Sequence, residues 1–84
     1  MDEMRYLPPN PRFKRGSGNW LVWEWLATWG MIETKVVHAL GCDMSRVADC
    51  KKAMAQYGFT LPKGGIKIGE GNYLFKMIRM EDES

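Results

Sequence analysis

The 84 residues carry 45% hydrophobic and 12% aromatic side chains, which excludes a disordered chain, and a chain of this length has room for one domain that buries about 60 to 65 percent of its unfolded surface. No apolar run approaches the roughly 20 residues that span a bilayer, so no membrane partner is expected. The net charge of +2 is unevenly spread: Asp2, Glu3, Glu81, Asp82 and Glu83 sit at the extreme ends, while all twelve Lys and Arg lie between Arg5 and Arg79 against five acids, a net of +7 there.

A basic body with acidic tips favours a polyanionic partner through phosphate neutralisation and counterion release, with a plain solubility margin as the alternative. The start of the chain, MDEMRYLPPNP, has no apolar signal core. A cytoplasmic location is therefore expected. Cys42 and Cys50 fall on the apolar side of the helices described below and read as small core hydrophobes rather than a disulfide. One histidine, His38, and two thiols without a CxxC do not supply a metal cage, and no nucleophile or base is tied to His38 by a recognisable spacing. No cofactor and no enzymatic activity are expected.

Residues 1–18 hold three prolines in four positions, then Arg12, Phe13, Lys14 and Arg15, then Gly-Ser-Gly. Proline forces an extended path. The segment reads as a basic arm whose Arg12, Lys14 and Arg15 track phosphates, or as a leader that packs Tyr6, Leu7 and Phe13 over the domain. The two are compatible.

Ser17 or Asn19 caps a first helix over 19–29 that stops at Gly30. Its apolar residues leave only Asn19, Glu24 and Thr28 polar, so the helix is apolar on nearly every face. A small domain cannot cover all of it. Trp20, Trp23, Trp25 and Trp29 are therefore read as a protein interface, which makes a homodimer the expected assembly, with a central helix wrapped by the arm and the terminal strands as the alternative.

The stretch from Glu33 to Tyr57 reads as two short helices, 34–41 and 45–57, joined by a tight turn. Thr34 is the candidate cap of the first and Gly41 its left-handed stop. Either Asp43 or Ser45 caps the second, whose Val47, Cys50, Met54 and Tyr57 form one buried stripe. This run resembles a helix-turn-helix: Val37, Gly41 and Val47 stand at that family's spacing, and Val36, Leu40, Cys42 and Cys50 fall on its supporting apolar positions. Val37 stands where the family more often has alanine.

Beyond Pro62, two strand-like runs, 66–68 and 73–80, flank Gly69-Glu70-Gly71-Asn72 and predict a hairpin. Three helices followed by a hairpin resemble a winged helix-turn-helix. The expected organisation is thus a basic arm over 1–18, a mainly α winged helix-turn-helix with a two-stranded wing over 19–80, and an acidic tail over 81–84. The resemblance implies a sequence-specific regulator of double-stranded DNA, a repressor, activator or recombination accessory of the type phages and mobile elements encode. Its second helix of the pair would lie in the major groove, with Ser45, Arg46, Asp49 and Gln56 as candidate base readers. Arg12, Lys14, Arg15, Lys51, Lys52, Lys63, Lys67 and Lys76 are candidate phosphate contacts. Asp43, Asp49 and the tip residue Glu70 repel phosphate, and they favour the alternative of a protein-binding inhibitor or adaptor that docks on a host protein machine.

Overall fold

The computed structural model describes residues 5–10 and 12–82, with the side chain of Asp82 left aside. The described residues hold three α-helices: α1 (Gly18–Trp29), α2 (Thr34–Ala39) and α3 (Met44–Met54). A 3-10 turn, Ala55–Tyr57, extends α3. Five antiparallel strands accompany them: β1 (Met31–Glu33), β2 (Phe59–Thr60), β3 (Ile66–Gly69), β4 (Asn72–Lys76) and β5 (Ile78–Arg79). A radius of gyration of 12.1 Å is close to the roughly 12 Å expected of a compact unit of this length.

The domain is mixed α and β rather than mainly α. Strand β1, three residues with no alternating pattern long enough to read, was not expected. It pairs Met31 with Lys76, Ile32 with Phe75 and Glu33 with Leu74, which turns the anticipated two-stranded hairpin into a three-stranded sheet of order β1-β4-β3. The single run expected over 73–80 is split at Met77, whose buried side chain turns into the core while its N–H donates to Gly30 O at 2.9 Å. Beyond it the chain changes partner, and β5 pairs with β2.

Local chemistry explains the helix ends. Ser17 caps α1, its side chain accepting from Trp20 N, and Gly30 closes it at φ 74° with its N–H on Leu26 O. A side chain at Gly30 would also press on the Tyr6 ring, whose carbons lie 3.0 to 3.1 Å from where a Cβ would stand. Asp43, rather than Ser45, caps α3 by accepting from Ser45 N at 3.0 Å and from the Ser45 hydroxyl. These two donors hold the Asp43 carboxyl below its ordinary value. Thr34 does not cap α2. Its hydroxyl is exchanged with the backbone of Tyr73, donating to the carbonyl at 3.3 Å and accepting from the N–H at 3.1 Å. The α2 amide of Lys35 is satisfied instead by Asn72 Oδ1 at 2.9 Å, while Asn72 Nδ2 donates to Glu33 Oε1 at 2.9 Å. One hairpin side chain thus ties the turn to the helix.

The core gathers Val22, Trp23, Leu26 and Ala27 of α1, Ile32, Val37, then Val47, Cys50 and Met54 of α3, with Leu7, Leu61 and Met77. Both cysteines are free, Cys50 buried and Cys42 half-buried. Burial pushes the Cys50 thiol up to about 12, so it stays protonated at neutral pH. Among the described residues no helix is long and apolar enough to cross a membrane.

Candidate nucleic-acid interface

Helix α3 is amphipathic in the simplest sense. Val47, Cys50 and Met54 face the core, and by the 100° step of an α-helix the opposite face carries Ser45, Ala48, Lys52 and, in the 3-10 turn, Gln56. All four are exposed. Ser45 is engaged by Asp43 through both its N–H and its hydroxyl. Asp49, half-buried, sits toward the α1 side of this face.

Arg46 was expected to be the first long side chain aimed outward. It is exposed but leans sideways, over the first turn of α1. Its Nη1 donates to Asn19 Oδ1 at 3.4 Å, and its Nε stands 3.0 Å from where a Gly18 Cβ would be. Gly18 lets the two helices approach there, with Cys42 Sγ at 3.2 Å on the same spot. Arg15 lies nearby on the α1 amino end, its guanidinium 5.9 Å from the Trp20 ring centroid.

The other flank of α3 faces a shallow groove of about 200 Å³ toward the sheet. Lys51 from α3 and Lys63 with Gly64 from the β2–β3 connection line it, over a floor that includes Leu61 and Phe75. The exposed face of α3 is therefore bordered by Arg46 on one side and by the Lys51 and Lys63 pair on the other. Sequence spacing could not bring Lys63 to Lys51. The path of the chain after Tyr57 does.

The remaining candidates divide. Lys67 is exposed on the hairpin opposite Tyr73. Lys35 and His38 of α2, absent from the sequence-based phosphate set, line a groove of about 430 Å³ with the hairpin turn and Glu70. Lys76 is set apart: it lies at the end of β4 away from the turn, beside Met31 and Trp29. It does not join the α3 surface.

The amino-terminal segment is a docked strap rather than a free arm. Tyr6 N–H donates to Ala27 O at 2.7 Å, and Arg5 makes a two-toothed pair with Glu24 at 2.8 and 2.9 Å. Hydrogen bonding to Arg5 holds the Glu24 carboxyl below its ordinary 4.5. Leu7 is buried, Trp23 Nε1 donates to Pro8 O at 2.9 Å, and Asn10 Oδ1 accepts from Arg12 N at 2.8 Å. Phe13 meets Trp23 edge to face at 5.7 Å. Arg12, Lys14 and Arg15 remain exposed on the strap's outer side. Positions 1–4 and 11 lie outside the described residues, as do the last two positions of the expected acidic tail.

The tryptophans do not form one interface. Trp23, expected on a partner surface, is fully buried, because the strap and Tyr57 close over it. Trp20 and Trp25 are half-buried, and Trp29 is 58% exposed. Trp29 borders a groove of about 470 Å³ at the far end of α1, with Tyr6, Met31, Phe59, Ile78 and the cations Lys76 and Arg79. That groove had no signal in sequence, since its walls come from four separate segments. Among the described residues no group of three His, Cys, Asp or Glu side chains is placed to hold a metal ion. Comparison of the chain with protein-family models, with curated proteins and with solved structures finds no match.

Proposed function

We propose that the chain is a small winged-helix DNA-binding regulator that lays the exposed face of α3 into the major groove. The observation that carries this reading is the pair of cationic borders on α3, Arg46 on the α1 side and Lys51 with Lys63 on the sheet side. A helix in the major groove passes between two sugar-phosphate strands, so a reader needs cations on both flanks and polar side chains between them. Lys52, Gln56 and Ala48 occupy that middle, with Gln56 suited to the two hydrogen-bonding atoms of adenine and Ala48 to a thymine methyl.

The element order adds support. Helix, strand, two helices and a hairpin, with the first strand added beside the second hairpin strand, is the order of a winged helix, and Asn72 anchors the hairpin turn to the amino end of α2. In this reading the hairpin is the wing, Lys35 and Lys67 stand on its side of the complex, and Arg12, Lys14 and Arg15 reach phosphates from a fixed strap. Arg46 becomes a backbone contact rather than a base reader, since its guanidinium already leans off the outward face.

The test is a salt titration of binding to a preferred and a random duplex. Native protein should bind both at low salt, and Arg46→Ala or the pair Lys51→Ala with Lys63→Ala should weaken both duplexes alike. Each lost phosphate contact should lower the slope of log K against log salt by roughly 0.9. Absence of duplex binding at low salt refutes the reading. The alternative, a host-protein docking module, draws on Asp43 and Asp49 beside the same helix face and on Glu70 at the hairpin turn, all of which repel phosphate.

A further inference from the structure

The groove at the carboxyl end of α1 is an apolar feature that the α3 surface does not use. It shares no residue with the exposed face of α3 or with the Lys51 and Lys63 groove. The two lie toward opposite ends of α1: Arg46 rests on Gly18 and Asn19, whereas Trp29 is eleven residues further along, roughly 16 Å at the helical rise. Tyr6 is 53% exposed, Trp29 58% and Met31 37%, and the next residue past the groove wall, Met80, is 44% exposed. These four side chains leave on the order of 400 Å² of mainly apolar surface in water, within the range that marks an interaction site.

The charges around the groove identify what fits it. Its floor is apolar and aromatic, and its rim is cationic, from Lys76 and from Arg79, which stacks over the Phe59 ring at 5.7 Å. The complementary ligand is a segment with an apolar anchor followed by a carboxylate. Such a segment stands immediately beside the groove on the same chain: Met80 and Glu81 open the 3-10 turn that follows β5. Glu81 is 74% exposed at its side chain and reaches Arg79 only at 4.0 Å, so its carboxylate has room for a second cation. Met80 N–H is held by Gly58 O at 2.9 Å, which fixes the backbone at the start of this turn beside the groove.

A groove and its matching knob side by side on one face make a surface complementary to itself under a two-fold rotation. We infer that the chain forms a two-fold homodimer in which Met80 of each copy enters the aromatic groove of the other and Glu81 of each pairs with the other's Lys76. The exposed area of those four side chains is about half of the roughly 800 Å² that each partner contributes to a stable interface, and Lys76, Arg79 and Glu81 supply a polar rim around it. The dimer leaves both α3 faces open. It does not depend on the DNA reading, and a DNA result alone neither supports nor refutes it.

Sedimentation equilibrium of the native chain without nucleic acid, from about 1 µM to about 1 mM, tests it. A dimer should populate within that range. Trp29→Glu and Met80→Asp should each give a monomer with unchanged far-ultraviolet dichroism, and the second variant serves if the first does not fold. Glu81→Lys should raise the dissociation constant at least about tenfold, and Glu81→Lys combined with Lys76→Glu should recover most of that loss. A native chain that stays monomeric at about 1 mM overturns the inference, as does a dimer that survives both Trp29→Glu and Met80→Asp. A double exchange no tighter than Glu81→Lys alone overturns the pairing.

Discussion

Helices α1 and α3 are nearly equal in length, twelve and eleven residues, and are used in opposite ways. α1 is apolar on most of its faces, and the fold treats it as an axle: the strap crosses one side, α3 another, and β1 continues from its end. α3 has one apolar stripe and spends it on the core, which leaves a polar face free. The contrast shows that aromatic density and accessibility are different properties. A helix rich in tryptophan can be mostly interior if neighbouring segments are long enough to wrap it, and here residues 5–10 and 12–17 do so, with Trp23 held by Pro8 O, Phe13 and Tyr57.

The largest expected effect lies on the α1 side of this contrast. Trp23→Ala should cost about 3 to 5 kcal/mol of folding stability in urea denaturation, whereas Lys52→Ala on α3 should change it by no more than about 0.5 kcal/mol. Equal costs would erase the distinction between axle and exposed face. On the α3 side, Gln56→Ala should cost about 1 to 3 kcal/mol of binding to the preferred duplex and far less to a random one, as measured by fluorescence anisotropy. Equal loss on both duplexes would remove Gln56 from the reading set.

A smaller effect sharpens how the hairpin is tied to the helices. Asn72→Ala removes the acceptor for Lys35 N–H and the donor to Glu33, and should lower stability by about 1 to 2 kcal/mol. Faster amide exchange at Lys35 than at α3 amides would locate the loss. Unchanged exchange would mean that the Asn72 side chain does not protect the Lys35 amide.

The smallest effect is pH-dependent and belongs to the strap. Arg5 lowers the Glu24 carboxyl below its ordinary 4.5, so between the folded and unfolded titrations the unfolded chain binds more protons. The stability supplied by this pair is complete above that ordinary value and drains away as pH falls through the folded one. Native protein should therefore lose more of its urea midpoint than Glu24→Gln between about pH 7 and about pH 3. Equal losses would mean that the Arg5–Glu24 pair adds nothing to the strap's other contacts.

Much of the architecture was legible in the order of residues, for local reasons. Gly30 and Gly41 end helices because their left-handed backbone suits glycine, and Val47, Cys50 and Met54 form a stripe because the helical period aligns them. The hairpin turn was marked by its glycines. The candidate site was legible only as a set of residue types: Arg46, Lys51 and Lys63 were named, but their grouping was not.

What the tertiary structure alone decided concerns pairs distant in sequence. Three residues, Met31 to Glu33, are too few to announce a strand, and they become one because β4 lies alongside to accept their backbone hydrogen bonds. Thr34 looks like a cap by its position, yet Tyr73 claims its hydroxyl and Asn72 takes over the helix amide. Trp23 and Trp29 are the same residue type on one helix, and one is core while the other is surface because Pro8, Phe13 and Tyr57 close over the first, whereas the second borders an open groove. Local pattern specifies what a segment can become, and the competition among distant partners for each polar group and each apolar face decides which possibility is realised.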